Sequence, residues 1–128
     1  MSFIQKMKNK FGGKSVTVHM KLDKHTFQKG DEVEGVIVIE NGTTKRKAVA
    51  VFIELSTEKH YTTTVIGDYK VHEGFVLQPN EKKEIPFLIY LPEDGPLTED
   101  GEQIQLITKL SLEFAFDAKD QTYIEVKR

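Results

Sequence analysis

The sequence predicts an all-β fold, an antiparallel β-sandwich of seven to eight strands. Apolar residues recur with period two from Val16 to Val126, turn signals punctuate the chain at near-regular intervals, and no helical period intervenes after Gly13. A chain of 128 residues also suits one core, because a domain of that size buries about two-thirds of its unfolded surface.

Each strand is legible in turn. Val16, Val18, Met20 and Leu22 alternate with Thr17, His19 and Lys21, which gives a first strand with one buried face. Gln28-Lys29-Gly30-Asp31 turns the chain. Val33 to Ile39 is apolar on both faces at Val36, Ile37 and Val38, as a more central strand is, and Asn41-Gly42 predicts a hairpin after it. Lys47 to Thr57 reads as a long strand with Val49, Val51, Ile53 and Leu55 on one face and Phe52 on the other. Tyr61 to Val76 is less regular and predicts one or two shorter strands, with a turn at Gly67-Asp68.

Gln78-Pro79-Asn80-Glu81 is the next turn, after which Ile85, Phe87, Ile89 and Leu91 share a face. Pro86 interrupts that run, and its missing N–H assigns the strand to an edge or a bulge. Leu91 to Gly101 is a loop rich in Pro, Gly and acids. Beyond it, Ile104, Leu106, Leu110, Leu112, Phe114 and Phe116 fall on even positions, which a strand gathers on one face and a helix scatters. Asp117 to Gln121 reads as a turn and Tyr123 to Val126 as the last strand.

Ahead of the sandwich, assigned to residues 15–128, lies an arm over residues 1–14. Phe3, Ile4, Met7 and Phe11 fall within about 100° on a helical wheel, with Lys6, Lys8 and Lys10 beside them. These seven are the candidate contact residues, for an anionic membrane surface or for a partner. Gly12-Gly13 would end the helix, and the interrupting lysines do not suit a secretion signal. Met1 to Gly30 carries seven lysines and one aspartate, so the net charge of -2 divides into +6 there and -8 beyond.

Most site chemistries lack apparatus. Cysteine is absent, which excludes disulfides and thiolate chemistry, and no run of about 18 apolar residues occurs. His19, His25, His60 and His72 are spread over different segments without metal-pair spacing, and Ser15, Ser56 and Ser111 lack a nucleophile-elbow setting. Glu93, Asp94, Glu99, Asp100 and Glu102, with Asp117 and Asp120, could attract a hard cation, but no calcium-loop rhythm is present. Gly12-Gly13 opens no phosphate loop, and the basic turn Lys45-Arg46-Lys47 lacks the interleaved aromatics of a nucleic-acid binder. The expectation is a protein without catalytic residues, cofactor, metal or nucleic-acid partner.

The order of turns and strands resembles the sporulation-control (SpoOM) family of arrestin-like, immunoglobulin-like sandwiches. Leu22-Asp23-Lys24 through Phe27-Gln28-Lys29-Gly30-Asp31-Glu32-Val33-Glu34-Gly35 is similar to the family's L-D-x-x-x-Y-x-P-G-E-x-V-x-G. Further matches are Ile53 to Glu58, Leu77 to Glu81 with Ile85-Pro86-Phe87 and Leu91-Pro92, Leu106 to Leu110, Ala115 to Asp120 and Ile124-Glu125-Val126. Lys29 stands where the family has a turn proline, Phe27 where it has tyrosine, and Gly95 separates Pro92 from Pro96. The family also continues into a second sandwich, so 128 residues match either a one-domain relative or an N-terminal half. The resemblance implies a cytoplasmic bacterial regulator or adaptor in sporulation or stress control. It would act without catalysis, by docking protein partners on sheet edges and loops; weak contact of the arm with an anionic membrane is the alternative. A lone half would expose surface that a second sandwich covers, which adds self-association to the expectations.

Overall fold

Period-two alternation becomes eight strands in the computed structural model of the chain, whose described residues are 16–98, 101–115 and 117–128. They are β1 (Thr17–Leu22), β2 (Thr26–Gln28), β3 (Glu32–Glu40), β4 (Arg46–Lys59), β5 (Thr62–Leu77), β6 (Lys82–Tyr90), β7 (Gln103–Leu112) and β8 (Ala118–Lys127). One sheet has the order β1-β3-β6 and the other β2-β8-β7-β4-β5. Their inner faces share one core, in which Val33, Ile37, Ile39 and Ile85 join Val51, Ile53, Leu55, Leu106 and Leu110. The arm with its seven candidate residues, residues 99–100 and Phe116 lie outside the described residues.

The sandwich architecture, the central place of β3 and the edge place of the Pro86 strand agree with the sequence reading. Other expectations do not. Asn41-Gly42 makes no hairpin, because β3 pairs with β1 and β6 while β4 lies in the other sheet. Asn41 is instead a buried clamp: its Nδ2 donates to Thr44 O at 2.9 Å, Leu77 O at 3.3 Å and Gln78 O at 2.9 Å. The backbone completes the stitch, with Asn41 N donating to Glu81 O and Asn80 N to Gly42 O. Two crossovers between the sheets are thereby pinned to each other.

Gly67-Asp68 makes no turn either, and the expected shorter strands are a single strand, β5. The real turn is His60-Tyr61, where φ is 52° and 64° and Lys59 opposes Thr62, the geometry of a two-residue type I′ hairpin. Gly67 sits beside a register shift between Leu55 and Ser56. In β4 a bulge between Ala48 and Ala50 flips the parity, so Val49 faces outward and is half exposed, while Ala48, Val51, Ile53 and Leu55 are buried. Phe114 leaves the even-numbered row as well, in a turn at φ 57°, and β8 begins at Ala118, inside the segment expected to turn.

β2 is absent from the sequence reading, and its pairing with β8 is parallel. Phe27 anchors it in the core beneath Lys24, whose Nζ lies 5.1 Å from the ring centroid. The two strands that pair to make the centre and edge of the smaller sheet, β3 and β6, are entered by matching turns. In Gln28-Lys29-Gly30-Asp31 and Gln78-Pro79-Asn80-Glu81 the fourth N–H donates to the first carbonyl at 3.1 Å, and the fourth carboxylate accepts the first N–H at 2.8 Å. Gly30 at φ 76° and Asn80 at φ 61° occupy the left-handed third position of a type II turn.

Candidate functional site

A sandwich has four sheet edges, and here each is treated differently. β2 is three residues long and too short to template another strand. β1 is latched from the opposite sheet: Asp120 on β8 accepts a hydrogen bond from Met20 N at 2.9 Å, and its carboxylate lies 3.5 Å from His19 Nδ1. β6 carries Pro86, which cannot donate. β5 has none of these guards. It is sixteen residues long, paired as a strand with β4 alone among the described residues, and exposed along most of its length.

The side chains of β5 suit recognition. Val65 and Ile66 are exposed, the hairpin tip presents Tyr61 to solvent, and threonines 62–64 give the start of the strand high β-propensity. Toward the middle, β5 meets β6 of the other sheet, where Tyr69 Oη donates to Tyr90 O at 3.2 Å. Beside that bond runs a groove of about 460 Å³ lined by Tyr69, Val71, Pro86, Leu88 and Tyr90. An extended peptide can hydrogen-bond to the β5 backbone and place alternate side chains in this groove.

The outer face of the larger sheet is held by polar pairs. Lys109 Nζ donates to Glu54 Oε1 at 2.7 Å across β7 and β4, and both side chains are largely shielded. That hydrogen bond, opposed by desolvation and aided by the charges of Glu54, Asp68 and Asp117, holds the Lys109 ammonium above its usual value. Gln105 donates to Ser56 Oγ at 3.2 Å and accepts from Gln121, a row running from β8 to β4.

The remaining sequence candidates stay apart. His72 Nδ1 donates to the Glu73 carbonyl, 2.7 Å away, and the ring meets Phe75 edge-on, while Tyr61 and His60 form the hairpin tip. Among the described residues no three His, Cys, Asp or Glu side chains converge to hold a metal ion. Asp23, Asp31, Glu32 and Glu34 border a shallow basin of about 670 Å³ with Lys24 and Phe27, and Asp120 reaches across to the opposite sheet. No β5 residue carries a contact signal in the sequence, and the one signal in reach is Pro86, which marks the facing edge.

A family model described as "SpoOM protein" matches residues 4–128. The sporulation-control protein spo0M of Bacillus subtilis (strain 168) is 27% identical over 135 residues, covering 99% of this chain and 52% of that protein. The chain thus spans about half the length of the curated relative it matches. The crystal structure of Spo0M from Bacillus subtilis superposes with a TM-score of 0.82 at 26% identity, over 88% of this chain and 49% of that one. The alkylpurine DNA glycosylase AlkC of Pseudomonas fluorescens shares the fold alone, with a TM-score of 0.60 at 10% identity over 90% of this chain and 31% of that one.

Proposed function

This chain belongs to the SpoOM family over residues 4–128, and from that premise we propose that it is a non-catalytic regulatory domain of sporulation or stress control in the bacterial cytoplasm. It docks protein partners by strand addition at β5. The observation that supports this reading is the contrast among the four edges: three are short, latched or proline-blocked, and the longest is open. Backbone pairing along β5 supplies affinity, and the groove of Tyr69, Val71 and Leu88 supplies side-chain selection.

The test is a pull-down from the native cell extract with the wild type, the edge variant Val65→Lys/Ile66→Lys, and a control, Glu125→Lys, on exposed β8. The wild type and the control retain the same partners, and the edge variant loses them. Equal retention by all three, with circular dichroism showing all three folded, rejects docking at β5. A second reading, weak contact of the arm with an anionic membrane, is supported by four lysines and no acid in residues 1–14.

A further inference from the structure

One end of the sandwich gathers the described residues of three connections, 40–47, 78–83 and 113–115 with 117–119. Strand register and backbone bonds place them together: Arg46 opposes Leu77, Ala48 opposes Leu112, Asn80 N donates to Gly42 O, and Glu113 N donates to Lys47 O at 2.9 Å. They hold six cations, Lys45, Arg46, Lys47, Lys82, Lys83 and Lys119, against four acids, Glu40, Glu81, Glu113 and Asp117. One of those acids, Glu113, is 3.5 Å from Lys47 Nζ. β1 also starts here, since Thr17 opposes Glu40. The opposite end carries Glu93, Asp94 and Glu102 and no base among the described residues of the connection 91–102.

Apolar side chains stand out of the basic end. Phe114 is 97% exposed, Val49 51% and Val76 45%. Phe114 also holds φ 57°, a region that bulky residues seldom enter. It therefore carries backbone strain and receives almost no packing within the domain. We propose that this end binds an anionic lipid surface, with Phe114 inserted at the boundary of headgroups and acyl chains and Lys45, Lys47 and Lys82 set against the phosphates. A lipid surface is the occupant that uses both features, because it offers negative charge above an apolar layer. An acidic protein would need a pocket for one protruding ring, and single-stranded nucleic acid binds through successive stacking aromatics, of which this end presents one among the described residues. The proposal involves residues other than those of β5, so it stands or falls independently of docking there.

The chain lacks tryptophan, so Phe114→Trp introduces one reporter at the tip. Phosphatidylcholine vesicles containing phosphatidylglycerol are expected to shift its emission to the blue and carry the protein in flotation, and pure phosphatidylcholine vesicles to do neither. Phe114→Gly and Lys45→Glu/Lys47→Glu should each lower flotation of the otherwise native chain about tenfold, the order expected for losing one buried aromatic or two surface cations. A Lys6→Gln/Lys8→Gln/Lys10→Gln variant that also carries the Phe114→Trp reporter should still shift, which separates this site from the arm. No shift on anionic vesicles, flotation of Phe114→Gly equal to wild type, or a shift given by polyglutamate or DNA in place of vesicles overturns the proposal.

Discussion

Thr108 is a hydroxyl on the core face of β7, fully buried, and its Oγ1 has no hydrogen-bond partner. It occupies an even position in the row Ile104, Leu106, Leu110 and Leu112, so its burial follows from the alternation even though its chemistry does not. A buried unpaired hydroxyl costs about 1 kcal/mol or more, and valine has nearly the same shape. Thr108→Val is therefore expected to raise stability by about 1 kcal/mol, read as a higher urea midpoint with unchanged slope. A lowered midpoint would show that the hydroxyl gains more from its surroundings than a methyl group does. Asn41 is a mixed case, a buried amide whose Nδ2 faces three carbonyls while its Oδ1 has no partner. Its sequence neighbourhood, Asn-Gly, carries a strong hairpin signal because local turn chemistry is identical whether the chain folds back or crosses over. Gly35 is a third residue whose identity the partner strand dictates: an added Cβ would lie 2.5 Å from Lys21 O, so β1 could not approach β3.

Among the elements, the β4–β5 hairpin is the one whose turn residues fight their backbone. His60 and Tyr61 both hold positive φ, where Asn and Gly are the favoured pair, and Tyr61 is fully exposed. His60→Asn/Tyr61→Gly is expected to stabilise the domain by about 1 kcal/mol through relief of left-handed strain, measured as a raised thermal midpoint. An unchanged midpoint would mean the turn relaxes without cost. The hairpin escapes the sequence reading because neither residue is a turn former, and Gly67-Asp68, a few residues on, has the better turn composition. Gly67 accompanies a bulge instead, a feature that turn signals do not distinguish. Lys29 shows the reverse relation. Lys29 N–H donates to Lys127 O at 3.1 Å, extending the parallel β2·β8 pairing by a bond that a turn proline could not make.

Across the domain, the two sheets are joined at their margins by a few polar contacts. Asp120 closes the β1 side and Tyr69 the β6 side. Asp120→Ala is expected to cost about 1–2 kcal/mol, the range for a partly shielded hydrogen bond to a charged group, and to speed amide exchange at Met20 more than at residues in β7. Uniform acceleration would indicate global destabilisation without a local latch. Losing this contact would also free the outer edge of β1, so β5 is the open edge partly because Asp120 occupies β1. In the sequence Asp120 is one more acid in a segment with turn composition, and its role becomes visible only with β8 laid against β1.

Period-two alternation was enough to specify the all-β class, the sandwich, most strand positions and the burial of the even-numbered row through Leu112, and proline's missing donor narrowed β6 to an edge or a bulge. Both signals are properties of adjacent residues, so they can be read along the chain. Which turns return to the same sheet and which cross, where a bulge turns Val49 outward, that β2 runs parallel to β8, and that β5 is the edge left open were settled in three dimensions. Those outcomes depend on pairings between residues far apart in the chain. Several turn sequences satisfy the same local chemistry, and only the core they must jointly enclose selects among them.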